Sequence, residues 1–265
     1  MKLALRHVWL SFCLAAAARA QEVPVALNSA ASGEGEHHNE LRSSSLRGVP
    51  GAGAESTTFQ QLLPALALQA FEQHSIVQAE RLASYSTNIR ILAQMPDISQ
   101  HGEYELEKRY AAPRTLLFKA LQFRGDNFTK HIILRLLTSE VEHLQKDDPA
   151  LTAITSDNYK ISYLGASELA GRLTYGYRLK PRQKRKGLFK GRIYLDAYSG
   201  SLVRDEGRLV KSSSLFVRKI DFVQDFADID CFTLPVHIRS EAQARFVGRT
   251  IVDIYEEDYQ PAAVQ

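Results

Sequence analysis

Few side chains in this sequence have the types and spacing that covalent chemistry requires. Cys231 lies in the segment DIDCFTL, where the neighbouring acidic residues raise the pKa of a thiol and weaken it as a nucleophile. Ser167 lies in Gly-Ala-Ser-Glu-Leu, which lacks the second glycine of a nucleophile elbow. We therefore predict that Cys231 is a buried or partly buried structural residue and that the protein is not an enzyme.

The histidines do not follow a metal-binding pattern, and the sequence contains no H-E-x-x-H, P-loop or G-x-G-x-x-G motif. His131 and His143 share one predicted helix but lie about 18 Å apart at a rise of about 1.5 Å per residue, which prevents a shared metal. His37 and His38 are adjacent in a polar segment without further ligands. The sequence therefore predicts neither a metal site nor a cofactor.

A strongly basic run occupies residues 178–192, in the sequence RLKPRQKRKGLFKGR. One interpretation is a solvated hairpin tip. The other is a docking patch for anionic lipid headgroups or for an acidic partner protein, since each basic residue near an anionic membrane contributes about 1 kcal/mol of attraction. The candidate residues of this patch are Arg182, Lys184, Arg185 and Lys186.

Residues 1–20 have the features of a cleaved signal peptide: Lys2 and Arg6, a short apolar run, and the small-residue site Ala18-Arg19-Ala20. The apolar run is too short to span a bilayer, although an uncleaved N-terminal anchor is the alternative. Cleavage would leave as many basic residues as the 30 acidic ones. A formally neutral chain does not favour a nucleic-acid partner, which needs a net basic face.

The export signal predicts a secreted protein. Residues 21–57 are rich in Ala, Ser, Gly and Glu and hold hardly any large apolar side chains. Such a composition cannot bury enough surface to offset its ordering entropy, so we predict a disordered linker. The remaining residues, 58–265, are predicted to form one folded domain.

The folded domain is predicted to begin with a helix near Leu63, because Pro64 fits best in a first helical turn. Alternating side chains then predict strands over 85–95, 102–110 and 114–123. The apolar residues of the first helix that fall near helical spacing are Leu66, Ala70, Ile76, Val77 and Leu82.

A wide apolar stripe predicts a second helix over about 127–146, with Asp126 or Asn127 as its N-cap. From Asn158 onward the alternation returns and predicts seven more strands, the last of them over 244–259. Short connections between successive strands imply antiparallel neighbours.

About ten strands at about 4.8 Å spacing would form a sheet nearly 50 Å wide, and sheets of that width curl or close. The sequence therefore predicts an α+β fold, a strongly curved antiparallel sheet of about ten strands that forms an incomplete barrel, with two helices on its concave side. Two apolar ladders would line that side, and their side chains suit either a filled core or a lipid-holding cavity. Their candidate residues are Phe189, Ile193, Leu195, Phe216, Ile220 and Phe222.

An ordered series of local matches spans about residues 60–261 and resembles the outer-membrane lipoprotein-sorting (LolA/LolB-like) superfamily, in a poorly characterised bacterial branch. The matches are Asn158-Tyr159, Gly171-Arg172 with Tyr175, Lys180-Pro181, Leu188 to Ile193, Asp196 with Gly200, Leu202 to Arg204, Glu206-Gly207, Phe216-Val217, Phe222-Val223, Leu234-Pro235, Gly248-Arg249 and Asp258 to Gln260.

This resemblance implies an incomplete β-barrel around helices, with an apolar interior that shelters acyl chains. Together with the export signal, it implies a periplasmic location, with association to the outer membrane as a further option. Our first hypothesis is a non-enzymatic periplasmic carrier or binder whose cargo is an acyl lipid or a lipoprotein. The second is an envelope interaction or scaffold module with a filled core, in which the basic tip contacts an anionic membrane or an acidic partner. A secreted hydrolase is a third and weaker alternative.

Overall fold

The protein is described from a computed structural model, in which residues 60–211, 217–245 and 248–264 are placed. The predicted signal peptide, the predicted linker and the ladder residue Phe216 lie outside these described residues. Neither helix in the described ranges is long and apolar enough to cross a membrane.

The described residues form two α-helices and ten β-strands. The helices are α1 (Pro64–Arg81) and α2 (Asn127–Lys146). The strands are β1 (Leu82–Met95), β2 (Gln100–Ala111), β3 (Thr115–Gly125), β4 (Tyr159–Leu169), β5 (Arg172–Pro181), β6 (Phe189–Asp196), β7 (Leu202–Leu209), β8 (Val217–Ile229), β9 (Phe232–Ala244) and β10 (Gly248–Ala263).

All ten strands belong to one antiparallel sheet with the order β3-β2-β1-β10-β9-β8-β7-β6-β5-β4. The sheet does not close, so β3 and β4 form its two edges. Side chains of both helices and of the strands that they cover share one hydrophobic core. The predicted α+β fold, with an incomplete barrel and two helices on its inner side, is confirmed.

Helix α2 follows directly from its sequence. The Asp126 carboxylate caps the helix by accepting the Thr129 backbone N–H at 2.7 Å, which satisfies one of the free donors of the first turn. Ile133 and Leu137, one helical turn apart, are buried against the sheet. The predicted span of α2 is confirmed, because the cap and the apolar stripe indicate the same boundaries.

Helix α1 begins after Leu63, as predicted, but its buried face differs from the predicted stripe. The buried side chains are Ala67, Phe71 and Gln78, whereas Leu66 is 49% exposed. Leu82 lies outside the helix and begins β1. Apolar residues occur on more than one side of this helix, so their spacing alone did not identify the side that meets the sheet.

The predicted strand over 244–259 is also corrected. The chain turns after Ala244, and β10 begins at Gly248, which has a left-handed backbone with φ of 70°. The Asp97 carboxylate accepts the Arg249 N–H at 2.8 Å and fixes this turn. Apolar and β-branched residues on both sides of the turn made the two strand ends look continuous.

Candidate functional site

The inner face of β6 and β8 is apolar and fully covered. Phe189, Ile193 and Leu195 are 0% exposed, and Ile220 and Phe222 are at most 8% exposed. The rings of Phe189 and Phe222 lie 5.1 Å apart in an edge-to-face contact. The structure therefore brings five of the six predicted lining residues together on the helix-covered side of the sheet. Contact of these side chains with lipid stays a prediction.

Helix α1 is the helix that packs on β6, whereas α2 packs mainly on β1, β2 and β3. It buries three side chains, those of Ala67, Phe71 and Gln78, along its whole length. Helix α2 buries seven, most of them large and apolar. Because α1 contributes few buried contacts, it is the element whose displacement would uncover the apolar face at the lower cost.

Hydrogen bonds fasten α1 to the sheet near both of its ends. The Tyr175 hydroxyl donates to the Leu62 carbonyl at 2.6 Å, and the Tyr177 hydroxyl donates to the Pro64 carbonyl at 2.5 Å. Near the other end, the Gln78 amide donates to the Thr233 carbonyl at 3.1 Å and accepts the Thr233 N–H at 2.8 Å. Polar side chains therefore hold α1 against an otherwise apolar surface.

The turn between β6 and β7 passes directly beneath α1. Gly200 in this turn has φ of 74°, and a Cβ atom built on it would lie 2.7 Å from the Ala67 carbonyl oxygen and 2.8 Å from the Ala70 Cβ. A larger residue at position 200 would therefore push against the helix. The close approach depends on the absence of a side chain there.

Apolar groups are exposed where the start of α1 meets the edge strand β4. Leu63 and Leu66 are 69% and 49% exposed, and Tyr163 of β4 is 48% exposed. The Tyr163 ring contacts the rings of Tyr175 and Tyr177, whose hydroxyls hold the start of α1. Exposed apolar side chains at the start of α1 and on β4 thus accompany the aromatic rings that hold this end of the helix.

A buried charged cluster lies between α2 and the sheet. The ammonium group of Lys108 on β2 is 3.3 Å from the Glu140 carboxylate on α2 and 3.5 Å from the Glu256 carboxylate on β10. All three side chains are at most 2% exposed. The Tyr259 hydroxyl donates to Glu256 from the other side. One cation thus faces two carboxyl groups in the interior.

Burial controls the protonation of this cluster. Loss of solvation raises the pKa of Glu140 to about 7, although the Lys108 ammonium opposes the shift and Glu256 adds to it. Burial also raises the pKa of Glu256. For Lys108, burial favours the neutral form, but the two carboxylates outweigh it and raise its pKa. The cluster therefore combines a lysine held in its charged form with two glutamates whose charged forms are disfavoured by burial.

This charged cluster was absent from the sequence-based predictions, although its signal is visible. Lys108 alternates with Leu106 and Tyr110 on the inward face of β2, where a charged residue requires a buried partner. Glu140 lies within the apolar stripe of α2, one turn after Leu136. A cation and an anion at inward positions predict an ion pair, but only the fold shows that they meet.

An open depression of about 780 Å³ lies beside α1, lined by His74, Arg172, Asp196, Tyr198, Ser199 and Asp228. Arg172 bridges the carboxylates of Asp196 and Asp228 at 2.9 and 3.2 Å. Backbone N–H groups of Ser199 and Tyr198, together with Arg172, outweigh partial burial and lower the pKa of Asp196. Both carboxylates are thus engaged in structural contacts.

Cys231 is exposed, in the turn between β8 and β9, which corrects the predicted buried or partly buried cysteine. The apolar neighbours in its segment belong to the strand ends: Phe232 is 3% exposed and begins β9, whereas Cys231 itself points outward. Within the described residues, no group of three or more His, Cys, Asp or Glu side chains is arranged to hold a metal.

The predicted basic patch divides into two kinds of residue. The Arg182 guanidinium donates to the Ser156 carbonyl at 2.8 Å, and Arg185 donates to the Leu151 carbonyl at 3.1 Å. These arginines fasten the segment before β4 to the hairpin. Lys184 and Lys186 are exposed. Docking of an anionic partner at these four residues stays a prediction.

The comparisons with known proteins yield structural likeness only. No protein-family model matches the chain, and no curated protein matches it. A DUF1329 family protein from Desulfovibrio piger is 10% identical with a TM-score of 0.40, over 74% of this chain and 90% of that one. A LolA superfamily protein from Nitrosomonas europaea is 10% identical with a TM-score of 0.35, over 76% and 94%.

The second of these proteins carries the name of the superfamily that the sequence motifs resemble. Its identity to this chain and its TM-score are low. The function of this chain therefore has to be inferred from its own side chains.

Proposed function

We propose that the protein is a carrier or binder of acyl chains, as free lipid or as lipoprotein, in the bacterial cell envelope. The observation that carries this proposal is the weakly buried helix α1 lying over a continuous apolar face. An acyl chain that replaced α1 would contact Phe189, Ile193 and their neighbours on that face. The acyl chain moves between water or a membrane and the apolar face of the protein, which requires no covalent step.

Uptake of an acyl chain gains more free energy than the detachment of α1 costs. Detaching α1 exposes Phe71, at a cost of about 3 kcal/mol, and breaks a handful of hydrogen bonds worth about 1 kcal/mol each. Withdrawing an acyl chain from water gains about 0.8 kcal/mol per methylene, or roughly 12 kcal/mol for about fifteen methylenes. The exchange therefore favours a bound chain while leaving release accessible.

The exposed residues Leu63, Leu66 and Tyr163 support a route for the chain between α1 and the β4 edge. An acyl chain that arrives there meets apolar groups before α1 moves. The hydrogen bonds of Tyr175 and Tyr177 then break at the start of α1, where the side chains of the helix are most exposed. A periplasmic location is part of the proposal, and the predicted signal peptide supports it.

Native mass spectrometry of protein purified from a periplasmic fraction without detergent tests this function directly. A discrete added mass that is removed by organic extraction and identified as acyl lipid is the expected result. The extracted protein should regain the mass when acyl lipid is supplied. A single mass without ligand, and no uptake of supplied lipid, would contradict the proposal.

The complete burial of the five described lining residues favours a second candidate function. An envelope interaction module with a permanently filled core would show the same packing, and the exposed Lys184 and Lys186 would then contact the partner. Charge reversal at both lysines would abolish partner binding under this function. Under the carrier function it would leave uptake of soluble acyl lipid unchanged.

A further inference from the structure

Cations lie opposite cations on the outer face of β4, β5 and β6. Lys160 of β4 is in register with Lys180 of β5, and Arg178 of β5 is in register with Arg192 of β6. Lys190 of β6 is exposed beside them. We call these five residues the basic outer surface. Like charges directly opposite each other destabilise a sheet, so their placement requires a reason other than stability.

The alternation along the strands shows which way these cations point. Arg178 and Lys180 are exposed, whereas Tyr177 and Leu179 between and beside them are buried in the core beneath the helices. Successive side chains of a strand point to opposite faces. The basic outer surface therefore lies on the side of the sheet away from α1 and α2.

The outer face of β7 to β10 is arranged differently, because its described arginines are paired with carboxylates. Within the described residues, no ion pair or side-chain hydrogen bond involves Lys160, Arg178, Lys180 or Lys190. Arg192 has one partner, Glu206, at 2.9 Å. The pairs on β7 to β10 are Arg204–Asp225, Arg208–Asp221, Arg239–Asp253 and Arg249–Glu241.

An exposed apolar side chain borders the basic outer surface. A bulge in β4 interrupts the register between Tyr163 and Gly165, and Leu164 points to the outer face. A Cβ atom built on Gly176 would lie 3.7 Å from the Leu164 Cβ and 3.6 Å from the Tyr194 ring. Leu164 is 43% exposed. Cations and one exposed leucine thus share a single face at the sheet edge.

We infer that the basic outer surface docks on an anionic membrane, with Leu164 entering the headgroup region. Unpaired cations spread over three adjacent strands match the diffuse negative charge of a lipid surface. An apolar side chain beside them gains from contact with the acyl boundary. Docking in this orientation places the β4 edge, with Tyr163 on its inner side, next to the bilayer. The inference extends the proposed function by assigning the surface that meets the membrane.

Vesicle flotation tests the inference with two matched variants. The test variant is Lys160→Gln, Lys180→Gln and Lys190→Gln. The control variant is Lys119→Gln, Arg135→Gln and Lys146→Gln, which removes the same charge from exposed positions elsewhere. The protein should float with vesicles of phosphatidylcholine and phosphatidylglycerol and not with phosphatidylcholine alone. Binding should weaken with salt, since exposed charges are screened over about 10 Å at 0.1 M.

The test variant should lose about fivefold in affinity per lysine, or on the order of 100-fold in total. The control variant should bind like the unmodified protein, and circular dichroism should show that both are folded. Equal binding to the two kinds of vesicle, or an equal loss in the control variant, would overturn the inference. Binding to poly-glutamate but not to anionic vesicles would also overturn it and would indicate an acidic protein partner.

The contribution of Leu164 to membrane binding can be measured separately from that of the basic residues. Leu164→Ser should weaken binding to anionic vesicles at high salt, where the electrostatic attraction is screened. Leu121→Ser, which changes a leucine that is 53% exposed on β3, is the control and should have no effect. Uptake of a soluble fatty acid by all of these variants should stay unchanged. Loss of vesicle binding with normal uptake therefore separates this surface from the acyl-binding function.

Discussion

Lys108 on β2 and Glu140 on α2 form an ion pair of 3.3 Å that is shielded from solvent, and Glu256 on β10 shares the same ammonium group. The pair joins the second helix to two strands that are neighbours of β1. Buried ion pairs are expensive to break because the remaining charge has no water around it. The cluster therefore links α2 to β2 and β10, and removal of its cation would leave two carboxyl groups buried without a counter-charge.

The raised pKa of Glu140 predicts that stability depends on pH. The unfolded state releases this proton near the ordinary value of 4.5, whereas the folded state holds it until about 7. Between these values the folded state binds more protons, so its contribution to stability falls as pH rises, by up to about 1.4 kcal/mol per pH unit. Urea unfolding across this range measures the slope.

The comparison of two glutamine variants isolates this contribution. Glu140→Gln should be most stabilised relative to the unmodified protein near pH 7 and little changed near pH 4.5. Glu142→Gln, at an exposed position on the same helix, should show the same pH dependence as the unmodified protein. A constant difference between Glu140→Gln and the unmodified protein at all pH values would contradict the assignment.

Removing the cation of the cluster should be strongly destabilising. Lys108→Met leaves two carboxyl groups buried without a counter-charge, and such changes cost about 3–5 kcal/mol. Adding Glu140→Leu to Lys108→Met should restore part of the loss, because it removes one of the unpaired groups. Equal losses from the single and the double variant, measured by urea unfolding, would show that the ion pair is not the cause.

The turn beneath α1 offers a way to lift that helix. Gly200→Ala places a methyl group against the Ala67 carbonyl and should increase the binding of an apolar dye or a fatty acid by partly displacing α1. Gly171→Ala is its matched control, since Gly171 has φ of 73° but open space around its Cβ position. Both variants carry the backbone strain, and only Gly200→Ala should raise dye fluorescence.

The glutamine that fastens the other end of α1 gives an independent prediction. Gln78→Ala removes both hydrogen bonds to Thr233 and leaves that backbone N–H without its side-chain partner. Hydrogen exchange should become faster in α1 and stay unchanged in α2. Protection in α1 equal to that of the unmodified protein would mean that this contact does not hold the helix.

Much of the architecture was readable from local signals, as α2 illustrates. Asp126 and the stripe through Ile133 and Leu137 indicate where this helix begins and which side is buried, because both signals act within a few residues. The exposure of Leu66 and of Cys231 was not predictable in this way. The exposure of these two residues depends on strands that are distant in sequence, and the local spacing of apolar residues carries no information about those strands.

The charged surfaces show the same limit on what can be predicted from local sequence. A basic run was visible in the sequence, but Arg182 and Arg185 donate to backbone carbonyls of the segment before β4. Lys160 became part of a basic surface only through its register with Lys180, a residue of the neighbouring strand. Composition therefore predicts that cations are present, whereas hydrogen bonding and strand register decide which of them are free to bind an anionic partner.

The pairing of β1 with β10 has a consequence for how the protein is made. Residues 82–94 of β1 pair with residues 251–263 of β10. The middle of the sheet is therefore joined by the first and the last strands to be synthesised. Pairing between distant segments slows folding. Until β10 has been synthesised, β1 and β9 each expose an edge with unpaired backbone hydrogen-bonding groups. These two edges stay unpaired for most of the synthesis of the chain, and a chaperone that binds exposed strand edges would protect them from aggregation.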